Sequence, residues 1–439
     1  MAATTICAVA TPPGRGGVGV IRLSGPNAMS SARAVVGDLP APRYAALRRF
    51  YDAAGEALDE GLVLVFPGPH SLTGEDVVEL QGHGGPVVMD RLLQRLLGLG
   101  AVIAEPGEFS QRAFINGRLD LTQAEAVADL IAAGSEAAAK AAVRSLQGEF
   151  AQHVNHLSDT LTGLRVHLES SLDFTDEPLE GLALERLTEQ LATLIDRLNA
   201  TRAAAARGQQ LQEGLTVVIA GRPNAGKSSL LNALAGEDAA IVTELAGTTR
   251  DILDRHLHID GLPLRVLDTA GLREGGDVVE QEGVRRAQAA MAAADRILLV
   301  TEDDADDAAL IARLPDAVPI ITVHNKIDLS GRAPGVDGDH VGVSALTGAG
   351  LPALRAHLRG QLAMVSDEPL FTARRRHCHA LDVAAEALAE AHALALGGGD
   401  EELMAESLRE AQRSLGEITG VVSTEDLLGR IFSTFCIGK

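Results

Sequence analysis

Cysteine is scarce in this chain, in which Cys7, Cys378 and Cys436 are the only three among 439 residues. Three dispersed thiols supply neither a disulfide framework nor a C-x-x-C pair, which suits a reducing cytoplasm. The N-terminus lacks the basic start and long apolar run of a signal peptide, and no apolar stretch approaches the roughly 20 residues needed to span a bilayer. The sequence therefore predicts a cytoplasmic protein that has no membrane partner.

Basic residues are in deficit as well, because 38 Lys and Arg face 60 Asp and Glu and the formal net charge is −22. A chain this acidic is not expected to adhere non-specifically to nucleic acid or anionic lipid, so a nucleic-acid partner would require a local basic patch. What the chain does have is ample apolar content, 46% of residues, in a length that predicts two to four domains.

Changes in residue pattern divide the chain into four parts. Residues 1–118 combine short strands, punctuated by Gly and Pro, with an amphipathic helix, and are predicted to form an α+β domain. Residues 119–213 and 363–439 are rich in helix-forming Ala, Leu and Glu. Residues 214–362 alternate strands of a parallel sheet with helices. The simplest interpretation is an α/β domain inserted into one helical domain, and the alternative is four consecutive independent units.

The segment Gly221–Ser228 reads GRPNAGKS and fits the phosphate-binding pattern G-x-x-x-x-G-K-[ST]. It stands between an apolar strand and a helix, as its mechanism requires. The glycines let backbone N–H groups close around phosphate oxygens, and the helix N-terminus adds partial positive charge. We expect Lys227 to reach the outer phosphates and Ser228 to ligate Mg²⁺.

Three more motifs follow in the order expected of a GTPase. Asp268–Gly271 (DTAG) ends a strand and offers a carboxylate for Mg²⁺. Asn325–Asp328 (NKID) ends another strand, and Asp328 can accept hydrogen bonds from both the ring N–H and the exocyclic amine of guanine, a pair that adenine lacks. Ser344–Leu346 (SAL) suits the loop that backs the base. This set resembles the Ras-like P-loop GTPases and predicts GTP rather than ATP.

The predicted GTP contacts come from these motifs and from the segment that joins the first two. They are Asn224, Ala225, Gly226, Lys227, Ser228, Ser229, Thr243, Glu244, Leu245, Ala246, Gly247, Thr248, Thr249, Asp268, Thr269, Ala270, Gly271, Asn325, Lys326, Asp328, Ser344, Ala345 and Leu346. Thr249 is the natural second ligand to Mg²⁺ beside Ser228.

Leu272 occupies the position after the DTAG motif, where many small GTPases carry a Gln that orients the attacking water. Leucine cannot polarise water, so another group must do so. The amide oxygen of Asn224 could ligate a monovalent cation that neutralises charge developing between the β- and γ-phosphates. GTPases with this Asn are often activated by K⁺, and the remaining ligands would then be Thr243, Leu245 and Thr248. The alternative role for Asn224 is to stabilise the loop.

The combination of an Asn-bearing P-loop, AGTTRD at 246–251, DTAGLRE at 268–274 and a terminal FCIGK is distinctive. With these motifs the chain resembles, over essentially its whole length, the bacterial GTPases that modify tRNA wobble uridine, the MnmE or TrmE family. The resemblance implies an N-terminal folate-binding and dimerisation domain, and a GTPase domain inserted in a helical domain. It also implies a homodimer and a heterotetramer with an FAD-dependent MnmG/GidA-type subunit, in which FAD belongs to the partner.

By the same resemblance, GTP hydrolysis is coupled to K⁺-dependent dimerisation of the GTPase domains. The product is a carboxymethylaminomethyl or aminomethyl group at C5 of uridine 34, whose carbon comes from 5-formyl- or methylene-tetrahydrofolate. The implied folate contacts are Arg22, Glu79, Arg118 and Lys439. The family often has Lys at position 118, and Arg changes the geometry of that contact.

Two residues are implied to be catalytic. Glu280 would position the attacking water, although Glu274 and Glu282 are close in sequence. Cys436, in the terminal CIGK, would act as nucleophile or acid/base at the one-carbon site. The alternative for Cys436 is structural packing, and a prenylation box fits poorly because Gly438 is not aliphatic. The rival function is that of a ribosome-assembly GTPase of a sister family, which usually carries a basic RNA-binding module.

Overall fold

The structure is a computed structural model with mixed helix and sheet, as the sequence predicts. It describes residues 4–173, 181–213, 215–222, 224–235, 253–259, 262–268, 291–292, 294–302, 311, 314–315, 318–362, 371–398 and 400–438. The chain divides into two compact units. The first comprises Met1–Ala128, Ser145–Thr201 and His379–Lys439, and the second comprises Asp129–Arg144 and Arg202–Cys378.

A six-stranded sheet is the centre of the first unit. Its strands are β1 (Ile6–Val9), β2 (Gly16–Ser24), β3 (Ala46–Tyr51), β4 (Ala57–Phe66), β5 (Val77–Gly84) and β6 (Val102–Ile103). They lie in the order β3-β4-β5-β2-β1-β6. Neighbouring strands are antiparallel, except that β1 and β6 pair in parallel. Because side chains alternate along a strand, Ile21 and Leu23 are buried in the core while Arg22 lies on the opposite face.

Two helices cover the apolar face of this sheet. They are α1 (Ala28–Val36) and α2 (Pro86–Leu97), and a third helix, α3 (Glu108–Ile115), follows β6. Pro86 begins α2, where its missing N–H costs nothing because that group would have no partner within the helix. Val35, Leu92 and Leu96 are fully buried against the strands. This core fixes the strands relative to one another. The side chains on the outer face of the sheet, the face opposite α1 and α2, are fixed with them.

Long helices follow the first domain and return after the second sheet. They are α4 (Leu121–Ala132), α5 (Glu136–Leu146), α6 (Glu149–Asp173), α7 (Gly181–Glu213), α11 (Arg375–Leu396), α12 (Glu401–Thr419) and α13 (Glu425–Phe432). Asp400 caps α12 by accepting a hydrogen bond from the Glu402 N–H, and Gly420 ends it in the left-handed conformation. Helices α6 and α12 pack against each other in the first unit.

The second unit contains a seven-stranded sheet. Its strands are β7 (Leu215–Gly221), β8 (Leu253–Ile259), β9 (Leu262–Asp268), β10 (Arg296–Thr301), β11 (Ile320–His324), β12 (Gly335–Asp337) and β13 (His340–Gly342). In the order β12-β13-β11-β10-β7-β9-β8, the five central strands are parallel and both edge strands are antiparallel. Among the described residues that connect or follow these strands, the helices are α8 (Lys227–Ala235), α9 (Ile327–Ser330) and α10 (Leu351–Leu362).

Strands β7, β9, β11 and β13 end where the four sequence motifs begin. Because carboxyl ends of parallel strands share one edge of a sheet, the described residues of the motifs lie at that edge, where ligands bind in open α/β folds. Within the described residues, no helix is long and apolar enough to cross a membrane.

Candidate functional site

The phosphate loop connects β7 to α8, and its backbone requires glycine at both ends. Gly221 has φ +150°, and a Cβ there would lie 2.3 Å from the Val300 carbonyl oxygen. Gly226 has φ +89°, and a Cβ there would lie 2.2 Å from Asn325 Nδ2. The Lys227 amino group donates to the carbonyl oxygens of Gly221 and Arg222, at 2.8 Å each. The lysine is thereby aimed back over the loop that precedes its own helix.

Asn325 joins the phosphate loop to the SAL loop. Its Nδ2 donates to the Ala225 carbonyl (2.9 Å), and its Oδ1 accepts from the Ala345 N–H (3.0 Å). The side chain is 2% exposed, so both ends of a buried amide are satisfied. Ala225 lies 100 residues before Asn325 in the sequence, and Ala345 lies 20 residues after it. Two loops that would contact opposite ends of a nucleotide are therefore fixed to each other.

The neighbouring residues of the NKID and SAL motifs are also brought together. Lys326, in the left-handed region at φ 59°, donates to the Asn224 carbonyl (2.9 Å) and pairs with Glu302 (2.6 Å). The Ser344 hydroxyl donates to Asp328 Oδ1 at 2.6 Å. That bond orients the carboxylate that is predicted to recognise guanine. Asp328 and Leu346 are exposed, the latter at 87%.

The remaining members of the predicted GTP set fall into two groups. Asn224 is exposed with φ 66°, Ala225 is buried, and Ser228 and Ser229 are exposed in the first turn of α8. Asp268 is the last residue of β9, in register with Ile219 of β7. The others lie outside the described residues: Thr243, Glu244, Leu245, Ala246, Gly247, Thr248, Thr249, Thr269, Ala270 and Gly271. The predicted catalytic residue Glu280 lies outside them as well.

A second cluster lies on the outer face of the six-stranded sheet. Arg22 on β2 is directly opposite Glu79 on β5, and the two side chains form an ion pair (2.9 Å). Gln81 donates to the other Glu79 oxygen at 3.3 Å, and Arg22 Nη1 donates to the Gly438 carbonyl at 3.2 Å. The cluster brings together two of the four predicted folate residues, next to the C-terminal tail. Arg118 donates elsewhere, to the Ser71 carbonyl, and Lys439 lies outside the described residues.

The C-terminal tail packs on the same unit. Phe432 and Phe435 contact each other edge-to-face and join a cluster with Leu121 and Ala124. Gly438 has φ +93°, and a Cβ there would lie 2.6 Å from the Val9 carbonyl oxygen, so the tail runs against β1. This packing holds the exposed Cys436 close to Gly107, whose N–H points at the Cys436 carbonyl (3.4 Å).

The three thiols differ in exposure. Cys7 is buried in β1, Cys378 is partly buried and Cys436 is exposed. Burial raises the pKa of Cys7 to about 11, which keeps that thiol protonated near neutrality.

Two family models match the chain. The one described as the MnmE helical domain covers residues 121–436, and the one described as the GTP-binding protein TrmE N-terminus covers residues 5–118. A tRNA modification GTPase MnmE from Alkalilimnicola ehrlichii is 59% identical over 446 aligned positions, covering 100% of both chains.

The chain belongs to the MnmE family of tRNA modification GTPases. The predicted fold class is thereby confirmed: a TrmE-type N-terminal domain, a helical domain and a P-loop GTPase domain. GTP binding and hydrolysis in tRNA modification follow from the same assignment.

Solved structures similar to this MnmE-family chain include the GTPase Era from Aquifex aeolicus bound to GDP·AlF₄⁻, with 30% identity. It covers 39% of this chain and 66% of that one, at a TM-score of 0.27. The G domain of the T. maritima FeoB iron transporter is 22% identical. The match covers 34% of this chain and 98% of the FeoB chain, and its TM-score is also 0.27. The family assignment depends on the full-length relative and the two family models.

Sequence reasoning missed one polar pair in this MnmE-family chain. His83 Nδ1 contacts Asp59 Oδ1 at 2.7 Å, and the N–H groups of His83 and Glu60 donate to the same carboxylate. Burial acts to raise the pKa of Asp59, but these hydrogen bonds outweigh it and the pKa is lowered. Gly82 leaves room for the pair, because a Cβ there would lie 2.4 Å from Asp59 Oδ2, but nothing in the sequence alone connects Asp59 with His83.

Proposed function

We propose that this GTPase adds a carboxymethylaminomethyl or aminomethyl group to C5 of wobble uridine 34 of certain tRNAs. It acts as a cytoplasmic homodimer, in a heterotetramer with an FAD-dependent MnmG/GidA-type subunit, and takes its carbon from 5-formyl- or methylene-tetrahydrofolate. The observation that carries the proposal is the full-length similarity to a tRNA modification GTPase. The contacts of Asn325 support a GTP site, and the Arg22–Glu79 pair supports a separate folate site.

At the GTP site, the Asn325 bridge supports roles for both loops. Residues 224–229 would surround the phosphates, while Asp328, oriented by Ser344, would accept the two guanine N–H groups. Ser228 stands in the first turn of α8, beside Lys227, where a hydroxyl suits the oxygen-seeking Mg²⁺. With Thr249 it would hold the ion, which neutralises charge on the phosphates when bound. Glu280 would position the attacking water.

Asn224 supports a K⁺ site beside the phosphates. Asn tolerates the left-handed backbone seen here, and the Asn224 carbonyl already accepts a bond from Lys326. The exposed side-chain amide would offer its oxygen to the cation. Thr243, Leu245 and Thr248 would supply the other ligands, and the cation would complete the site as two GTPase domains meet.

Turnover of GTP in K⁺ against Na⁺ tests the cation site. We expect a rate at least about tenfold higher in K⁺, because an ion that takes the place of an arginine finger acts on transition-state charge. Asn224→Ala should remove the difference, and Asn232→Ala, on α8 but outside the phosphate loop, should preserve it. Equal wild-type turnover in both salts would contradict K⁺ activation.

At the one-carbon site, Arg22, Glu79 and the tail support folate binding. A carboxylate can accept hydrogen bonds from pterin N–H groups, and cations suit the folate carboxylates. Glu79 is held by Arg22 and Gln81, and Arg22 is in turn tied to Gly438. Arg118 and Lys439 would add positive charge, and the exposed Cys436 would act as nucleophile or acid/base group.

Mass spectrometry of wobble uridines in a deletion strain tests the whole proposal. Complementation with the wild-type gene should restore the modified nucleoside, whereas Glu79→Gln should not and should also lose tetrahydrofolate binding in calorimetry. Glu60→Gln, on the adjacent strand β4, is the matched control. Unchanged uridines in the deletion strain would contradict the function, and a ribosome-assembly defect in their place would favour the rival.

A further inference from the structure

One buried carboxylate in the second unit holds two segments that are far apart in sequence. Asp129 Oδ1, on α4, accepts hydrogen bonds from Arg374 Nη2 and from Gln212 Nε2, both at 2.6 Å. Its side chain is 4% exposed, and the Arg374 side chain is 22% exposed. The partners lie 83 and 245 residues from Asp129 in sequence. We call this set, Asp129, Gln212 and Arg374, the Asp129 junction.

The two partners stand at the two covalent connections of the GTPase segment. Gln212 is near the end of α7, just before β7 begins at Leu215. Arg374 directly precedes α11, on the chain that returns from the GTPase segment. Every covalent path between the GTPase segment, 214–362, and the helical segments on both sides therefore passes a residue bound to Asp129.

Backbone packing at the same place reinforces the junction. A Cβ at Gly208 would lie 2.1 Å from the Phe371 carbonyl oxygen, so α7 and the returning segment are in direct contact. Phe371 and Ala373 are buried, and the Arg374 N–H donates to the buried His377 ring at 3.0 Å. The incoming and outgoing segments are thus fixed to each other as well as to α4.

A buried charge pair adds little to stability, because the cost of desolvation cancels most of the attraction. Such pairs are better known for specifying one geometry. Two separate single-chain connections could each bend when the GTPase segment moves. Binding both to one carboxylate removes that freedom, so a displacement of the segment is passed on to α4. Leu121 and Ala124 of that helix belong to the cluster that holds Phe432 and Phe435 of the tail.

We propose that Asp129 is a positioning residue that couples GTP hydrolysis to tRNA modification by holding both connections of the GTPase segment against α4. The inference rests on the proposed function, in which GTP hydrolysis drives the modification. Asp129 is not among the predicted GTP contacts, its side chain is buried, and it acts through Gln212 and Arg374.

The ratio of modified uridines to GTP hydrolysed tests the coupling in the complete complex with the FAD-dependent subunit. Asp129→Asn keeps the shape of the side chain and removes its charge. We expect its GTP turnover to stay within about twofold of wild type, and the ratio to fall about tenfold, within the usual range of coupling between sites. Arg374→Lys, which keeps the charge but loses the planar fork, should give an intermediate ratio.

A double-mutant cycle makes the test specific. If Asp129 acts through Arg374, adding Arg374→Gln to Asp129→Asn should lower the ratio no further than the stronger single change. The matched control is Glu169→Gln, which removes the carboxylate of an Arg165–Glu169 pair of similar length (2.8 Å) on α6. It should leave the ratio unchanged.

Hydrogen exchange on the chain alone separates this inference from the proposed function. Exchange is followed with GDP and with a non-hydrolysable GTP analogue. In wild type, amides of residues 124–132 and 371–378 should change protection between the two states, and in Asp129→Asn the change should be confined to the GTPase segment.

Two results would overturn the coupling role. One is a normal ratio in Asp129→Asn, and the other is a fall of GTP turnover in parallel with modification, which would make the junction purely structural. If the wild-type complex modifies no uridine, the proposed function fails, and with it the coupling inference. The exchange measurement would then show only whether the junction transmits the nucleotide state.

Discussion

At the scale of single residues, the GTP site depends on a glycine whose lack of a side chain makes room for Asn325. Gly226→Ala would place a methyl group 2.2 Å from Asn325 Nδ2, in a backbone at φ +89°. The Asn325 side chain cannot swing away without losing its bonds to Ala225 and Ala345. We expect GTP affinity to fall about tenfold or more in calorimetry, because such strain costs about 1–3 kcal/mol.

Gly331→Ala is the control for this change. Gly331 also has a positive φ (+74°), but a Cβ there meets nothing within 4 Å. It should lower stability slightly and leave GTP affinity unchanged. If both variants bind GTP like wild type, the contact between Gly226 and the Asn325 bridge does not constrain the site.

The Asp59–His83 pair gives a pH-dependent prediction. The pKa of Asp59 is lowered in the folded state from an ordinary value of 3.8, so its stabilising effect is complete above that value and disappears as pH falls through the lower folded pKa. Asp59→Asn should lower the free energy of unfolding by about 1–2 kcal/mol at pH 7, since hydrogen bonds to a charged group are lost.

Denaturant unfolding at pH 7 and near pH 2.5 measures the effect. The difference between Asp59→Asn and wild type should shrink at the acid pH. Glu60→Gln, which removes an exposed pair with Arg49, should leave stability nearly unchanged at either pH. A deficit for Asp59→Asn that is equal at both pH values would show that the charge of Asp59 does not matter.

At the scale of secondary-structure elements, α13 depends on its aromatic face. Phe432 is 2% exposed and packs on Phe435 at a centroid distance of 5.3 Å. Phe432→Ala should lower the stability of the first unit by about 3–5 kcal/mol, the usual cost of deleting a buried aromatic ring. Denaturant unfolding followed by circular dichroism measures it. Thr434→Ala, at an exposed site in the same segment, should have little effect, and equal losses in both variants would contradict specific packing of Phe432.

The sequence predicted the elements with strong periodicity and missed those without it. Apolar runs such as TTICAVA, GVGVIRLSG, EGLVLVFPG, EDVVELQGHGG, LTVVIAG, LPLRVLDTAG, ADRILLVTE and VPIITVHNK predict strands, and β1, β2, β4, β5, β7, β9, β10 and β11 lie there. Strand β3 has Arg48 and Arg49 in its centre, and β12 and β13 have three residues each, too few to show alternation. Their pairing is stabilised by neighbours in the sheet, which a local pattern cannot reveal.

The sites were predictable to the extent that their residues are contiguous. The phosphate loop and the NKID motif carry their chemistry in a few adjacent residues, whereas the Asp129 junction joins residues 83 and 245 positions apart. No spacing rule connects such residues, so only the folded chain reveals them. The same is true of Asp59 and His83, which are brought together by neighbouring strands.

At the scale of the whole molecule, the acidic charge restricts how tRNA is bound. With a net charge of −22, we expect few phosphates to be neutralised on binding, so log K against log salt should have a slope smaller in magnitude than about 4. Filter binding of a cognate tRNA between 50 and 300 mM KCl measures the slope, and an unrelated RNA hairpin should bind far more weakly. A steep slope shared by both RNAs would indicate an extensive basic surface instead.

The graded burial of the three cysteines makes the native chain suitable for single-site labelling. Reagents such as maleimides react with the thiolate, which Cys7 scarcely forms at neutral pH because its pKa is about 11. The exposed Cys436 should react first, and Cys378→Ser would remove the slower, half-buried competitor. A fluorophore introduced in this way would sit beside Gly107, two residues before the Gly438 carbonyl that Arg22 contacts, and its emission would report on the surroundings of the tail.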